Sequence, residues 1–375
     1  MSRFVARLRW VRTQNAALLL GGALFAVTVS IGGAAADPRP AAPDSPPPPL
    51  QLVQTIPLPG VEGRIDHMAL DAERQRLFLA ALGNHSAEVV DLAAGKWLQS
   101  LRGVREPQGV AFVPKRGATT GAESTPIPEA ARGHLPDSAR VLVTSGHDGA
   151  CDFFDAETLQ HALRIKLSDD ADNVCLDAAA GHVYVGFGAG GIAILDARDG
   201  AILGSIPLGG HPEGLALESH GARLFVNLPA SGDVAVVDRV ARSVRARWRV
   251  TKAADNFPLA LDESGHRLFV GCRPPANLQV LNTDTGKVVA KLDLDDSSDD
   301  ISYDAARHRI YVSCGGGFVD VFQQNGPDRY IKLAKVATAK GARTSLFVPE
   351  TSRLYVAIPK RFEQRAELRV YSAQP

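Results

Sequence analysis

Seven times along this chain a short β-forming run opens with arginine or histidine and continues with three large apolar residues. The copies are Arg76-Leu77-Phe78-Leu79, Arg140-Val141-Leu142-Val143, His182-Val183-Tyr184-Val185, Arg223-Leu224-Phe225-Val226, Arg267-Leu268-Phe269-Val270, Arg309-Ile310-Tyr311-Val312 and Arg353-Leu354-Tyr355-Val356. They lie 64, 42, 41, 44, 42 and 44 residues apart. The clearest unit begins at His211, with β-type runs at Leu215–Leu217, Arg223–Asn227 and Val234–Asp238 and a fourth at Ser243–Val250. Four short strands make a sheet that cannot cover its own faces, so neighbouring copies must cover it. The runs lack the 3.6-residue period of an amphipathic helix and suit sheets buried on both faces.

Seven four-stranded units with no helix between them predict an all-β fold, a seven-bladed β-propeller spanning residues 50–375. The long first interval is explained by an insertion, Lys115 to Ala139, between the first and second strands of the second unit. Third strands should end at Asp91, Asp155, Asp196, Asp238, Asn282, Gln323 and Ser372, most of them turn-forming residues. The last unit lacks a fourth strand. Leu50 to Leu58, LQLVQTIPL, resembles fourth strands such as Ala201 to Leu208, AILGSIPL. It is expected to close the ring as the outer strand of the last blade.

Residues 1–36 read as a signal peptide. Arg3, Arg7, Arg9 and Arg12 precede an apolar stretch from Ala16 to Gly33, and Ala34-Ala35-Ala36 forms a small-residue cleavage site. An uncleaved anchor is the alternative. Residues 37–49 form a proline-rich linker ending in Pro46-Pro47-Pro48-Pro49. The mature protein is expected in the periplasm or outside the cell, as a monomer free of the membrane. Lysine plus arginine equals aspartate plus glutamate, 41 each. No global basic field exists to attract nucleic acid, and no nucleic-acid role is expected.

Tyr184-Val185, Tyr311-Val312, Tyr355-Val356, Phe225-Val226-Asn227 and the run Ser231 to Asp238 resemble the YVTN β-propeller repeat. The likeness extends over Leu50 to Ser372 and is nearest to exported YncE-like proteins of bacteria. It implies a seven-bladed propeller outside the cytoplasm without assigned catalysis, and it carries over no catalytic motif.

In such a fold the loops before the first strands meet at one mouth of the axial channel. Aligning the units puts Asp66, Gln108, Asp172, Glu213, Phe257, Asp299 and Arg343 in one ring. Two residues earlier stand Arg64, Glu106, Asp170, His211, Asp255, Ser297 and Gly341, and one residue further in come His67, Asn173 and Asp300. His85, His147 and Asp148 could join from the loops between second and third strands. Seven carboxylates in the two rings would focus negative potential and favour a cation or basic ligand. Crowding would raise some of their pKa values. Asp66, Asp172, Glu213 and Asp299 are the candidates for a divalent cation, a hard ion on oxygens alone or a transition metal with His67 or His211. The plainer alternative is polar loop residues satisfied by backbone and water.

The expected function is therefore a non-enzymatic binding or scaffold propeller whose small ligand or protein partner docks at an acidic axial mouth. The alternative is a metal-assisted hydrolase or lyase, lactonase-like, using the same carboxylates. On the opposite face, Asp71 to Arg76, Asp262 to Arg267 and Asp304 to Arg309 read as turn chemistry with a charge pair. Cys151, Cys175, Cys272 and Cys314 are expected as buried free thiols, because equivalent positions on neighbouring sheets stand too far apart to bridge. No haem-attachment, zinc-ribbon, nucleophile-elbow or phosphate-loop pattern is present.

Overall fold

The computed structural model describes residues 47–115, 138–188, 190–250 and 255–375. The signal segment, most of the linker and residues 116–137 of the insertion lie outside them. The described chain forms seven antiparallel sheets of four strands each, and six of them are built from consecutive strands.

Blade 1 comprises β2 (Met68–Asp71), β3 (Arg76–Ala81), β4 (Ser86–Asp91) and β5 (Lys96–Leu101). Blade 2 comprises β6 (Pro107–Val113), β7 (Arg140–Ser145), β8 (Ala150–Asp155) and β9 (His161–Lys166). Blade 3 comprises β10 (Ala171–Asp177), β11 (His182–Phe187), β12 (Gly191–Asp196) and β13 (Ile202–Pro207). Blade 4 comprises β14 (Leu215–Leu217), β15 (Arg223–Leu228), β16 (Asp233–Asp238) and β17 (Ser243–Arg249). Blade 5 comprises β18 (Asn256–Asp262), β19 (Arg267–Cys272), β20 (Asn277–Asn282) and β21 (Val288–Asp293). Blade 6 comprises β22 (Ser298–Asp304), β23 (Arg309–Cys314), β24 (Phe318–Gln324) and β25 (Tyr330–Ala337).

Blade 7 takes β26 (Thr344–Val348), β27 (Arg353–Ile358) and β28 (Glu367–Ala373) from the end of the chain, and β1 (Leu50–Pro57) from its start. β1 pairs antiparallel with β28, Leu50 opposite Ala373 and Pro57 opposite Glu367. Each innermost strand touches those of both neighbouring blades, and β26 returns to β2 to complete the ring.

The core is correspondingly divided. Each apolar cluster draws on two adjacent blades: Phe78 and Val89 of blade 1 pack with Val141 and Phe154 of blade 2. Leu79 and Val90 meet Tyr355 and Leu368 across the closure. Second and third strands are buried on both faces, while outer strands alternate, as β17 does with every second side chain exposed. That is why the second strands carry continuous apolar runs.

The first residue of each second strand faces the predicted third-strand end in all seven blades, from Arg76 opposite Asp91 to Arg353 opposite Ser372. These polar residues build the following turns. Asp155 accepts the Thr158 N–H at 2.7 Å, and Asn282 accepts that of Thr285 at 2.9 Å.

Arg76, Arg267 and Arg309 do something other than form the charge pairs expected, whereas Arg223 does pair with Glu218 across its turn. Asp71 and Asp304 bond instead to Arg74 and Arg307, at 3.1 and 3.0 Å, and Asp262 accepts the Gly265 N–H. Five of the six strand arginines cross to the next blade and donate to carbonyls of its turn after the third strand. Arg76 reaches Ala156 O at 2.8 Å, Arg140 reaches Arg198 O at 2.5 Å, Arg267 reaches Pro327 O at 3.2 Å and Arg309 reaches Gln374 O at 2.5 Å; Arg223 bonds Thr283 O. A guanidinium is long enough to span two sheets, and its several donors fit clustered carbonyls. Blade 3 has His182 at this position, and there Arg239 of blade 4 reaches back to Asp177.

No disulfide forms: Cys151, Cys272 and Cys314 are buried and Cys175 half-buried, all as free thiols.

Three outcomes are expected. A chain starting at Pro59 loses the buried side chains Leu50, Ile56 and Leu58, at about 2 kcal/mol each. It should therefore unfold at least about 6 kcal/mol more easily than one starting at Pro47, by denaturant titration. Arg309→Ala should cost about 2 kcal/mol in urea denaturation, with lysine restoring little of it. Thiol titration after denaturation without reductant should count four free cysteines.

Candidate functional site

One end of the axial channel opens into a cavity of about 350 Å³ to which every blade contributes. All seven residues of the predicted ring line it: Asp66, Gln108, Asp172, Glu213, Phe257, Asp299 and Arg343. Two residues further along six of the seven inner strands, Met68, Val110, Val174, Leu215, Leu259 and Ile301 form an apolar collar below the polar rim, and Ser345 takes the seventh place. Polar ties between blades fix these strands. Thr144 Oγ1 donates to Asp172 O at 2.6 Å, Asn227 Nδ2 to Phe257 O at 3.0 Å and Thr344 Oγ1 to Ile65 O at 3.2 Å.

The ring two residues earlier behaves differently. Glu106, Asp170, Asp255, Ser297 and Gly341 have φ of +48°, +40°, +50°, +64° and +82°. They turn the chain sharply from one blade's outer strand into the next blade's innermost one, which is a backbone task. Of this ring only Arg64 lines the cavity. His211 stands behind the lining and meets Asp172 at 3.5 Å, Asp170 at 3.6 Å and Glu213 at 3.9 Å. His67, Asn173 and Asp300 line the cavity as expected. His85, His147 and Asp148 do not; His85 Nδ1 accepts the Glu106 N–H and Asp148 pairs with Arg164.

The expected ring of seven carboxylates is therefore corrected. Glu106, Asp170 and Asp255 lie outside the lining, and guanidiniums hold two of the remaining four. Asp299 Oδ2 stands 2.8 Å from Arg343 Nε and 3.6 Å from Arg64 Nη2 as ion pairs, and Oδ1 accepts a hydrogen bond from Arg273. Arg64 binds Asp66 at 2.8 Å. Charge in the mouth is sorted. Arg273, Arg343 and Arg64 come from blades 5, 7 and the entry to blade 1 and gather about Asp299, while Asp172 and Glu213 stand on blades 3 and 4. Gln108 of blade 2 separates the two arcs.

Arg273 was not among the sequence candidates. It follows β19 directly, where the other blades place Leu82, Gly146, Gly188, Pro229, Gly315 and Pro359. A charged side chain in an otherwise uncharged column was the available signal. Its guanidinium stacks 3.7 Å over the Phe257 ring.

Burial and neighbours move the titrations. Burial, then Asp172, pushes Glu213 up to about 8. The bond to Asp172, against burial, and one to Gly188 O raise His211 to about 9. Burial raises Asp66 to about 6 against the pull of His67 and Arg64. Burial disfavours charge on His67, yet the Asp300 carboxylate at 3.4 Å lifts it to about 10. Of the four proposed cation ligands, Asp172 and Glu213 stand within 4.8 Å of one another together with His211, while Asp66 and Asp299 carry arginines. His211 Nδ1 donates to Gly188 O at 2.7 Å, which leaves Nε2 as the nitrogen facing both carboxyl groups.

No protein-family model and no curated protein matches the sequence. Solved structures do. A chain in a crystal structure of the mitotic checkpoint complex aligns with TM-score 0.67 at 14% identity, covering 95% of this chain and 100% of that one. A chain of Kuenenia stuttgartiensis hydrazine synthase aligns with TM-score 0.65 at 16% identity, covering 83% and 98%. At such identities the likeness shows the fold alone. The fold is a seven-bladed β-propeller.

His67 supplies a pH test. Its folded value, about 10, exceeds the ordinary 6.5. The stabilisation it gives is complete below pH 6.5 and lost as pH rises through about 10. His67→Gln should therefore melt well below the native protein at pH 6, and the gap should close by pH 10.

Proposed function

We propose that this chain is an exported, non-enzymatic binding propeller that takes a small ligand, or a short segment of a protein partner, at the axial mouth. The observation that carries this is the convergence of charged side chains from six blades, and of Gln108 from the seventh, on one cavity above an apolar collar. The accessible lining is mainly polar, which suits recognition of a polar or charged group. Asp66 and Asp299 are held by arginines and are poorly placed to act as free bases. The signal-like N-terminus and the YVTN-type repeat support export, and the even overall charge speaks against nucleic acid as the partner.

Two measurements test the reading. Intact mass after expression in an exporting host should show a chain starting at Asp37 and recovered with the periplasm. A thermal-shift screen of small metabolites should give a hit that raises Tm, and Arg273→Ala, which removes the guanidinium stacked on Phe257, should abolish that shift. A shift unchanged in that variant would place binding elsewhere.

A second reading, metal-assisted hydrolysis or elimination, is favoured by one observation, the Asp172–His211–Glu213 group. These residues would hold the ion, which would supply Lewis acidity. Metal analysis of the purified protein, with thermal shifts in calcium, manganese and zinc, decides it. An ion bound at unit stoichiometry and lost in His211→Ala supports the reading, and no ion and no shift ends it.

A further inference from the structure

We infer that the axial cavity is built for a small zwitterion, its carboxylate set against Arg343 and its ammonium against Asp66 and Asp172. This rests on the binding reading above and names the chemistry of the ligand. Three observations meet on it. First, the cavity holds both charge signs, with Arg273 and Arg343 on blades 5 and 7, Asp172 on blade 3 and the Arg64–Asp66 pair between them on blade 1, so a ligand of one sign meets both attraction and repulsion. Second, Asp66 is 1% exposed, and while its Oδ2 takes Arg64, its Oδ1 has no hydrogen-bond partner among the described residues. A buried acceptor left open is costly, and a ligand N–H would satisfy it. Third, Arg343 approaches Asp299 through Nε at 2.8 Å as an ion pair, and its terminal nitrogens hydrogen-bond to no described residue. That is the free half of a fork suited to a carboxylate. The neighbouring guanidinium of Arg273 is held in plane by Phe257, and the collar below offers apolar contact to an aliphatic body. A cavity of about 350 Å³ limits the ligand to the size of an amino acid or a short peptide.

The experiment is calorimetric titration of the mature chain, at low salt and pH 7, with three length-matched series. These are ω-aminocarboxylates from glycine to 6-aminohexanoate, dicarboxylates and diamines, with zinc chloride as a separate arm. At least one aminocarboxylate should bind tenfold or more tightly than the dicarboxylate and diamine of its length. Arg343→Gln and Asp172→Asn should each weaken it at least tenfold. The first should raise diamine affinity and the second should raise dicarboxylate affinity, because each removes a repulsion, which a merely misfolded variant would not do. A dicarboxylate or diamine that binds as well as the zwitterion overturns the inference. Binding of zinc or of a one-sign series alone also overturns it, but leaves a binding cavity in place. No heat with any probe counts against both readings.

Discussion

The structure depends on the burial of each sheet against its two neighbours. A four-stranded blade exposes two apolar faces, and no blade owns a core: Phe225 and Val236 of blade 4 are buried only because Leu268 and Val270 of blade 5 lie against them. Such burial contributes about 25 cal/mol per Å² of apolar surface, but it is complete only when the ring has no free end. β1 provides that condition by pairing with β28. Its Ile56, and Leu58 just after it, share a cluster with Leu77 of blade 1 and Leu368 of blade 7.

Closure also decides the chemistry of the mouth. Side chains from Arg64 to Arg343 come within one cavity because every innermost strand enters it at the same level, tied to its neighbours behind the ring. Once there, they sort by charge. Three arginines from three blades share Asp299, which spreads positive charge over one side and leaves Asp172 and Glu213 to set the other. The raised pKa of Glu213 follows from the same crowding, since a second carboxylate beside buried Asp172 is ionised at a cost.

The opposite face shows how a local pattern can mislead about partners. Aspartate and arginine five residues apart across a turn invite an ion pair, and Asp71 with Arg76 fits that pattern. The aspartate caps its own turn through Arg74, and the arginine leaves the blade altogether for Ala156. What looked like two exposed charges cancelling is a joint between blades.

Strand positions and the number of blades were legible from the chain alone, because apolar runs and turn residues are short-range properties written seven times over. The ring from Asp66 to Arg343 was legible for the same reason: equivalent places in a repeat occupy equivalent places in space. The balance of charge was not. Glu106, Asp170 and Asp255 turn the backbone rather than face the cavity, and Arg273 enters from a loop outside the aligned ring. Where a side chain points, and which opposite charge reaches it first, is set by distances across the closed wheel, and those distances exist only after seven sheets have packed.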